Sequence, residues 1–136
     1  MKKQYILNEP QEFEFVALAI NSHSKGYSLC WSLNKELGLN FEKKKDHCVA
    51  NKMFFSKYSS FLTEGETYQL LSNRSKEGYL ISSLKKIDYF LIIGKTMWNK
   101  IKKELLKKLN SMNNILLVFE IELNKTLHAN RLIIND

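Results

Sequence analysis

Proline, glycine and cysteine are all scarce in this 136-residue sequence, which holds one, five and two of them respectively. The cysteines, Cys30 and Cys48, lie in a helical pattern and at the end of a charged run, so no disulfide framework is predicted and a reducing compartment fits best. The glycines are widely spaced, which excludes the glycine-rich phosphate loops of the common nucleotide enzymes. Hydrophobic residues still make up 44% of the chain, a composition typical of one packed domain.

Long hydrophobic runs are missing as well. No stretch approaches the ~18 apolar residues of a membrane span. The sequence opens with Lys2 and Lys3, but Glu9 and Glu12 interrupt it before a long apolar segment can form. The sequence therefore predicts a protein without a membrane span that stays in the cytoplasm.

Arginine is the rare cation of this basic chain. Lys and Arg total 21 against 14 Asp and Glu, which gives a net charge of +7, yet only Arg74 and Arg131 are arginines. A surplus of lysine favours polyanionic partners such as RNA, DNA or anionic lipid, whereas bidentate readout of bases needs arginine. The abundance of Lys, Asn and Ile also matches an AT-rich genome, so mutational drift is an alternative explanation of the charge.

Apolar spacing predicts a single α+β domain over residues 1–136, with a mostly antiparallel sheet of about five to seven strands and two main helices at about 24–37 and 96–112. The predicted strands cover residues 4–7, 12–20, 39–49, 53–62, 67–72, 87–93 and 114–123. The strand at 87–93 is apolar on both faces and is therefore predicted to lie in the centre of the sheet.

Short polar residues predict where these elements begin and end. Ser22 or Ser24 is the expected N-cap of the first helix and Thr96 that of the second, because their hydroxyls can accept from the first free backbone amides. Gly38 is the expected stop of the first helix. Residues 73–78 are polar enough to predict an exposed loop.

The second predicted helix is amphipathic and coated with lysine. Its apolar stripe is predicted to face the core and consists of Met97, Trp98, Ile101, Leu105, Leu109 and Met112. The candidate phosphate-contacting residues are Lys95, Lys100, Lys102, Lys103, Lys107 and Lys108. Lysines along a phosphate backbone would release counterions and bind in a salt-dependent way. The alternative is that these charges only solvate an outer helix face.

Aromatic and cationic residues alternate in the predicted strand 53–62, as they do in sheets that stack single-stranded bases. Strand alternation places Phe55 and Lys57 on one face and Phe54 and Tyr58 on the other, so a stacking platform is only partly supported. Ordinary core packing is the competing interpretation of these residues.

Groups that could carry catalysis or hold a metal do not cluster in the sequence. The histidines and cysteines show no metal-ligand spacing, and the adjacent His47 and Cys48 would point to opposite faces of a strand. Cys30 on an apolar helix face is typical of an inert buried thiol. Asp88 is a lone acid in an apolar strand, where it could act as an acid or base or could accept from a nearby backbone amide. The sequence therefore predicts no enzyme, no cofactor and no metal.

One segment resembles a known family signature. The run Ile81-Ser82-Ser83-Leu84-Lys85-Lys86-Ile87-Asp88-Tyr89 resembles the motif of the IPExxxVDY family of Bacteroidetes proteins. The stretch 22–34, which contains Tyr27, Trp31 and Asn34, resembles the family's helix, and the loop 71–75 leading to 78–80 is similar too. The resemblance covers about residues 5–121.

The chain departs from that family at its namesake positions. Ser82 and Ser83 replace the Pro and Glu, and Ile87 replaces the Val. If the family's Glu had a chemical role, this chain would lack it. The retained Asp88 and Tyr89 begin a strand that is predicted to be buried, which favours a role in the fold. The resemblance implies no activity, cofactor or partner.

Two function hypotheses follow from these patterns. The first is a non-enzymatic interaction domain that binds a protein partner or itself, because catalytic groups are lacking while apolar strand and aromatic surface is ample. The second is nonspecific RNA or DNA association through the basic helix at 95–108. A small enzyme would need Asp88, Tyr89 or a cysteine to converge with a base in a cleft.

Overall fold

Six strands form one antiparallel sheet. The computed structural model describes residues 12–61 and 67–134. The six strands are β1 (Phe15–Asn21), β2 (Glu42–Val49), β3 (Met53–Phe61), β4 (Thr67–Ser72), β7 (Tyr89–Gly94) and β8 (Leu117–Glu120), and their order in the sheet is β2-β3-β4-β7-β1-β8. Strands β5 (Arg74–Ser75) and β6 (Gly78–Tyr79) pair separately as a small ribbon, and the helices are α1 (Gly26–Leu37) and α2 (Lys95–Asn110). The predicted α+β class with two main helices is confirmed, while the predicted strand at 4–7 lies outside the described residues.

The sheet separates two hydrophobic clusters. Helices α1 and α2 pack on the first face through Leu29, Leu33, Trp98 and Leu105. The second face is covered by the segment between β6 and β7 and by the residues after β8, which contribute Leu80, Ile81, Ile87, Ile121 and Leu132. Strand β7 has neighbours on both sides and side chains in both clusters, so the predicted central strand is confirmed.

Helix α1 ends as predicted but does not begin as predicted. Gly38 adopts the left-handed conformation, with φ of 67°, and its N–H donates to the carbonyl of Asn34. Lys25 is the N-cap and makes no side-chain cap bond, so the prediction of Ser22 or Ser24 was wrong. The reason is tertiary, because the Ser22 hydroxyl donates to the carbonyl of Asn114, far along the chain.

Helix α2 follows β7 without a loop. Gly94 is the N-cap and provides no side-chain bond, so the predicted cap at Thr96 was wrong. The N–H of Lys95 instead donates to the backbone carbonyl of Glu14, at 3.0 Å, just before β1. A backbone partner from a neighbouring segment thus satisfies one of the amides that a capping side chain would otherwise serve.

Two further predictions are corrected. Residues 73–78 are not simply an exposed loop, because Asn73 is fully buried and the following residues form the β5–β6 ribbon. The last strand covers only Leu117–Glu120 rather than 114–123. Beyond it, short 3-10 turns carry the chain across the second face of the sheet, where Ile121 and Leu132 are buried.

Candidate functional site

Asn73 fixes the segment that resembles the family signature. Its side-chain amide donates to the carbonyls of Leu84 and Ile87, at 2.9 and 2.8 Å, and its side-chain oxygen accepts from the N–H of Ile81 at 2.8 Å. Its own carbonyl accepts from Leu80, and its N–H donates to the carbonyl of Asp88. The signature residues Ile81 and Ile87 are buried in the second cluster. These bonds hold residues 80–88 in place, and we call these residues the clamp.

Asp88 ties the same segment to the end of β1. One carboxylate oxygen accepts from the backbone N–H of Ser22 at 2.7 Å, and the other forms an ion pair with Arg74. The Asp88 N–H donates to the carbonyl of Ile20. The carboxylate is thus bound within the fold. This agrees with the predicted alternative in which Asp88 accepts from a backbone amide.

Tyr89 and Cys30 are buried close to this clamp. The Tyr89 hydroxyl donates to the carbonyl of Ser24 at 2.6 Å. Burial raises the pKa of Tyr89 to about 12 and the pKa of the Cys30 thiol to about 12. At neutral pH both groups are protonated, so neither is the activated nucleophile or base of a hydrolytic site.

The α1 residues that resemble the family's helix are of two kinds, one structural and one exposed. Asn34 is structural, because its side-chain oxygen accepts from the N–H of Phe41 at 2.6 Å and so holds the chain after α1. Tyr27 and Trp31 instead are 67% and 66% exposed on successive turns of α1. Lys35 continues the same stripe one turn later, with its Nζ 5.2 Å from the centre of the Trp31 ring. We call this stripe, Tyr27, Trp31 and Lys35, the aromatic ridge.

A shallow groove runs beside the aromatic ridge. Trp31 and Lys35 form one wall, and residues 111–114, just after α2, form the other. The groove has a volume of about 330 Å³, and the Asn114 side chain donates across it to the Ser32 hydroxyl at 3.0 Å. The aromatic ridge therefore borders a groove whose two walls are joined by a hydrogen bond.

The six lysines of α2 are all exposed but do not share one surface. At 100° per residue, Lys100, Lys103 and Lys107 lie on the side opposite the buried Trp98 and Leu105. The other three, Lys95, Lys102 and Lys108, lie on the flanks, and Lys102 places its Nζ 5.9 Å from the centre of the Trp98 ring. The structure thus brings together three of the six predicted phosphate contacts.

The alternating residues of β3 serve the two sides of the sheet. Phe55 is buried in the second cluster and Tyr58 in the first, as alternation predicted. Phe54 and Phe61 are exposed near opposite ends of the strand. A continuous platform for base stacking is therefore not formed on β3.

A cleft of about 910 Å³, which the sequence did not predict, lies on the second face of the sheet. It lies between the β2–β3 pair and the C-terminal residues 128–133, and we call it the basic cleft. Its cations and imidazoles are Lys44, Lys45, Lys57, Arg131, His47 and His128. The available sequence signal was Lys57, a lysine in the middle of an aromatic strand, which is only 3% exposed.

Within residues 12–61 and 67–134, no three His, Cys, Asp or Glu side chains converge as metal ligands would. In that same part of the chain, no helix combines the length and the apolar character needed to cross a membrane. Each buried side-chain nitrogen and oxygen of the described residues has a hydrogen-bond partner.

No model of a known protein family matches the chain, and no characterised protein matches it in sequence. The resemblance to the IPExxxVDY family therefore stays a prediction. Its quoted residues nonetheless have distinct physical roles, with the 81–89 segment and Asn34 serving the fold and Tyr27 and Trp31 lying on the surface.

Proposed function

We propose that this chain is a non-enzymatic interaction domain that binds a protein partner, or a second copy of itself, through the aromatic ridge of α1. The cytoplasm is the compartment that fits this role, because Cys30 and Cys48 are both free thiols. The observation that carries the proposal is the exposure of Tyr27 and Trp31.

Two large aromatic side chains on an outer helix face do not stabilise the domain by burial. Tyr and Trp are the residue types most enriched among the side chains that dominate protein–protein binding energy. They are spaced four residues apart, so both rings can enter one partner surface. The groove next to Trp31 offers a concave surface for a side chain of that partner.

The environment of the reactive groups supports a role without catalysis. The Cys30 thiol is buried and the Asp88 carboxylate is engaged by Ser22 and Arg74. A nucleophile or general base needs access to a substrate in a cleft, and these two groups face the fold instead.

Site-specific photo-crosslinking in living cells tests the proposal. A photoreactive amino acid replaces Trp31 in one variant and Lys125, an exposed residue in the turn after β8 that does not line the groove, in the matched control. We expect a discrete crosslinked product from position 31 and a much weaker one from position 125. A product of twice the chain mass means self-association, and any other discrete mass means a different protein. Equal crosslinking at the two positions, or none at 31, contradicts the proposal.

Nonspecific nucleic-acid binding is the second candidate function, and the stripe of Lys100, Lys103 and Lys107 on α2 favours it. Three exposed lysines on one helix side can follow a phosphate backbone, and each contact contributes to the salt dependence of affinity. The Trp98 ring beside Lys102 is buried, so this surface offers charge without base stacking.

Fluorescence anisotropy with short labelled oligonucleotides tests this second candidate. We expect binding at ~50 mM salt that weakens steeply as salt is raised. Changing Lys100, Lys103 and Lys107 to Gln should lower the slope of log affinity against log salt by about three. The control replaces the flanking Lys95, Lys102 and Lys108 by Gln and so removes the same charge. An equal loss in both variants, or no binding at low salt, contradicts a defined lysine surface.

A further inference from the structure

We propose that the basic cleft binds a small organic molecule that carries a phosphate group. This site lies on the second face of the sheet, whereas α1 and α2 pack on the first. A test of this proposal is therefore independent of the protein-binding and nucleic-acid-binding functions proposed above.

The charge around the cleft favours a multiply charged anion. Among residues 12–61 and 67–134, four cations and two imidazoles line it, and the lining carboxylate is Asp46. One of the cations, Lys44, is paired with Glu42 at 3.3 Å. Asp46 is itself paired with Lys43, which does not line the cleft, at 3.0 Å. A phosphate monoester carries a charge between −1.5 and −2 at neutral pH, by the same chemistry as phosphoserine, so it matches this excess better than a single carboxylate does.

A hydrogen bond between the two walls holds the cleft in shape. The His47 Nε2 lies 2.6 Å from the backbone carbonyl oxygen of Arg131. A carbonyl only accepts, so Nε2 carries the proton and donates. The Arg131 guanidinium in turn donates to the carbonyl of Leu80 at 3.2 Å. Strand β2, the C-terminal segment and the clamp are thereby connected, and the His47 ring and the Arg131 guanidinium are held in place before a ligand arrives.

A bulge in β2 shapes the cationic wall. The pairing between β2 and β3 is regular up to Lys44 and resumes at His47, so Lys45 and Asp46 together lie opposite the single residue Ser56 and the bulge adds one residue to β2. A bulge re-aims the side chains around it, and such irregularities are over-represented next to binding sites. Here it presents Lys44, Lys45 and His47 to one cleft.

Apolar residues complete the lining. Val49, Phe61 and Ile133 line the cleft with the charged groups. A volume of about 910 Å³ lies within the usual range for small-molecule pockets, so the cleft has room for an organic group as well as a phosphate. The apolar lining and the volume together distinguish an organic phosphate from inorganic phosphate as the preferred ligand.

Amide chemical shifts in a nitrogen-15-labelled sample of the full chain measure this binding. The probes are phenyl phosphate, inorganic phosphate and phenol, titrated at constant ionic strength. We expect saturable shifts at residues 44–49, 57–61 and 128–133 with phenyl phosphate, weaker binding of inorganic phosphate, and no saturation with phenol. Saturable binding of inorganic phosphate alone would overturn the organic part of the ligand. Shifts that remain linear, or that centre on α2, would overturn the site.

Two conservative variants and one control locate the binding. Lys45→Gln removes an exposed cation, and His128→Asn removes an exposed imidazole while keeping a residue that tolerates the left-handed φ of 64° found there. Each should weaken phenyl phosphate binding about tenfold, since each removes one charge-assisted hydrogen bond. Lys103→Gln makes the same charge change on α2 and should leave the affinity unchanged. An equal loss in all three variants, or no loss in the first two, would refute the assignment.

Discussion

Asn73 uses its backbone and its side chain together to hold residues 80–88. Three of its five hydrogen bonds come from the side chain, and the residue is fully buried. A buried polar group left without a partner costs about 1–3 kcal/mol. Because Asn73 satisfies three backbone groups of the clamp at once, its side chain matters far more than its place in a polar run suggests.

We expect Asn73→Ala to lower the free energy of unfolding by about 3 kcal/mol, since the N–H of Ile81 and the carbonyl of Ile87 would lose their partner and the carbonyl of Leu84 would keep only its bond from the Ile87 N–H. Asn73→Asp should be at least as damaging, because carboxylate oxygens would then face those two carbonyl oxygens. Urea unfolding followed by circular dichroism measures both.

The matched control for this prediction is Asn99→Ala. Asn99 is exposed on α2, where Ala is the better helix former, so the control should be neutral or slightly stabilising. A loss of under ~1 kcal/mol in Asn73→Ala would show that water or the backbone can replace the side chain.

At the scale of elements, α1 begins where β3 leaves no room for a side chain. A Cβ atom built on Gly26 would lie 2.7 Å from Cζ of Tyr58 and would also overlap the hydroxyl oxygen of that ring. Tyr58 is buried in the first cluster, so its ring cannot move away freely. Gly26 is therefore required by packing rather than by its backbone conformation.

We expect Gly26→Ala to destabilise the domain by about 1–3 kcal/mol, the usual cost of overfilling a packed site. Gly94→Ala is the matched control, because Gly94 also lies at the start of a helix, has an ordinary φ of −58° and has open space around it. Its effect should stay within ~0.5 kcal/mol. Thermal unfolding measures the loss of stability in the two variants. Equal losses would mean that the Tyr58 ring moves aside for the added methyl group.

Local patterns predicted elements well where the cause is local. Strand β4 covers 67–72 as predicted, and Gly38 ends α1 because only its own backbone conformation is involved. The predicted caps failed because the decisive partners are distant, as with Lys95 and the carbonyl of Glu14. The burial of Asn73 escaped prediction for the same reason.

The candidate sites also differ in whether local sequence patterns or distant contacts determine them. The exposure of the α2 lysines follows from helical spacing and was predictable from the sequence. The basic cleft was not, because Lys57, His47 and Arg131 come from three separate segments that only the folded sheet brings together. The exposure of Trp31 was also hidden, since an aromatic residue at helical spacing is typical of a core position.

At the scale of the whole molecule, the two sheet edges differ. Strand β2 is one edge and carries three consecutive lysines and a bulge, both of which discourage pairing with another chain. Strand β8 is the other edge and is only four residues long, with Leu117 and Phe119 exposed. Among the described strands, edge pairing is thus disfavoured at β2 and limited to four residues at β8, which supports the proposal that a partner binds at the aromatic ridge.

Buried groups that must stay neutral make the stability of the whole domain fall at high pH. Burial raises the pKa of Cys30 from 9.0 to about 12 and that of Tyr89 from 10.0 to about 12. In the unfolded chain both groups lose their protons near the ordinary values, so above about pH 9 the unfolded state binds fewer protons than the folded state. The stability these groups provide is therefore complete below pH 9 and is lost as pH rises towards 12.

We expect the free energy of unfolding, measured with urea in reducing buffer at constant ionic strength, to decline between about pH 9 and pH 11, with each group contributing at most about 1.4 kcal/mol per pH unit. Tyr89→Phe removes one of the titrating groups, so it should lower stability at pH 7 through the lost bond to Ser24 yet give a shallower decline. Parallel declines in the two proteins would mean that Tyr89 ionises normally in the fold. Absorbance at the phenolate band resolves the same point directly, since the parent protein should show one more tyrosine ionising near pH 12 than the variant does.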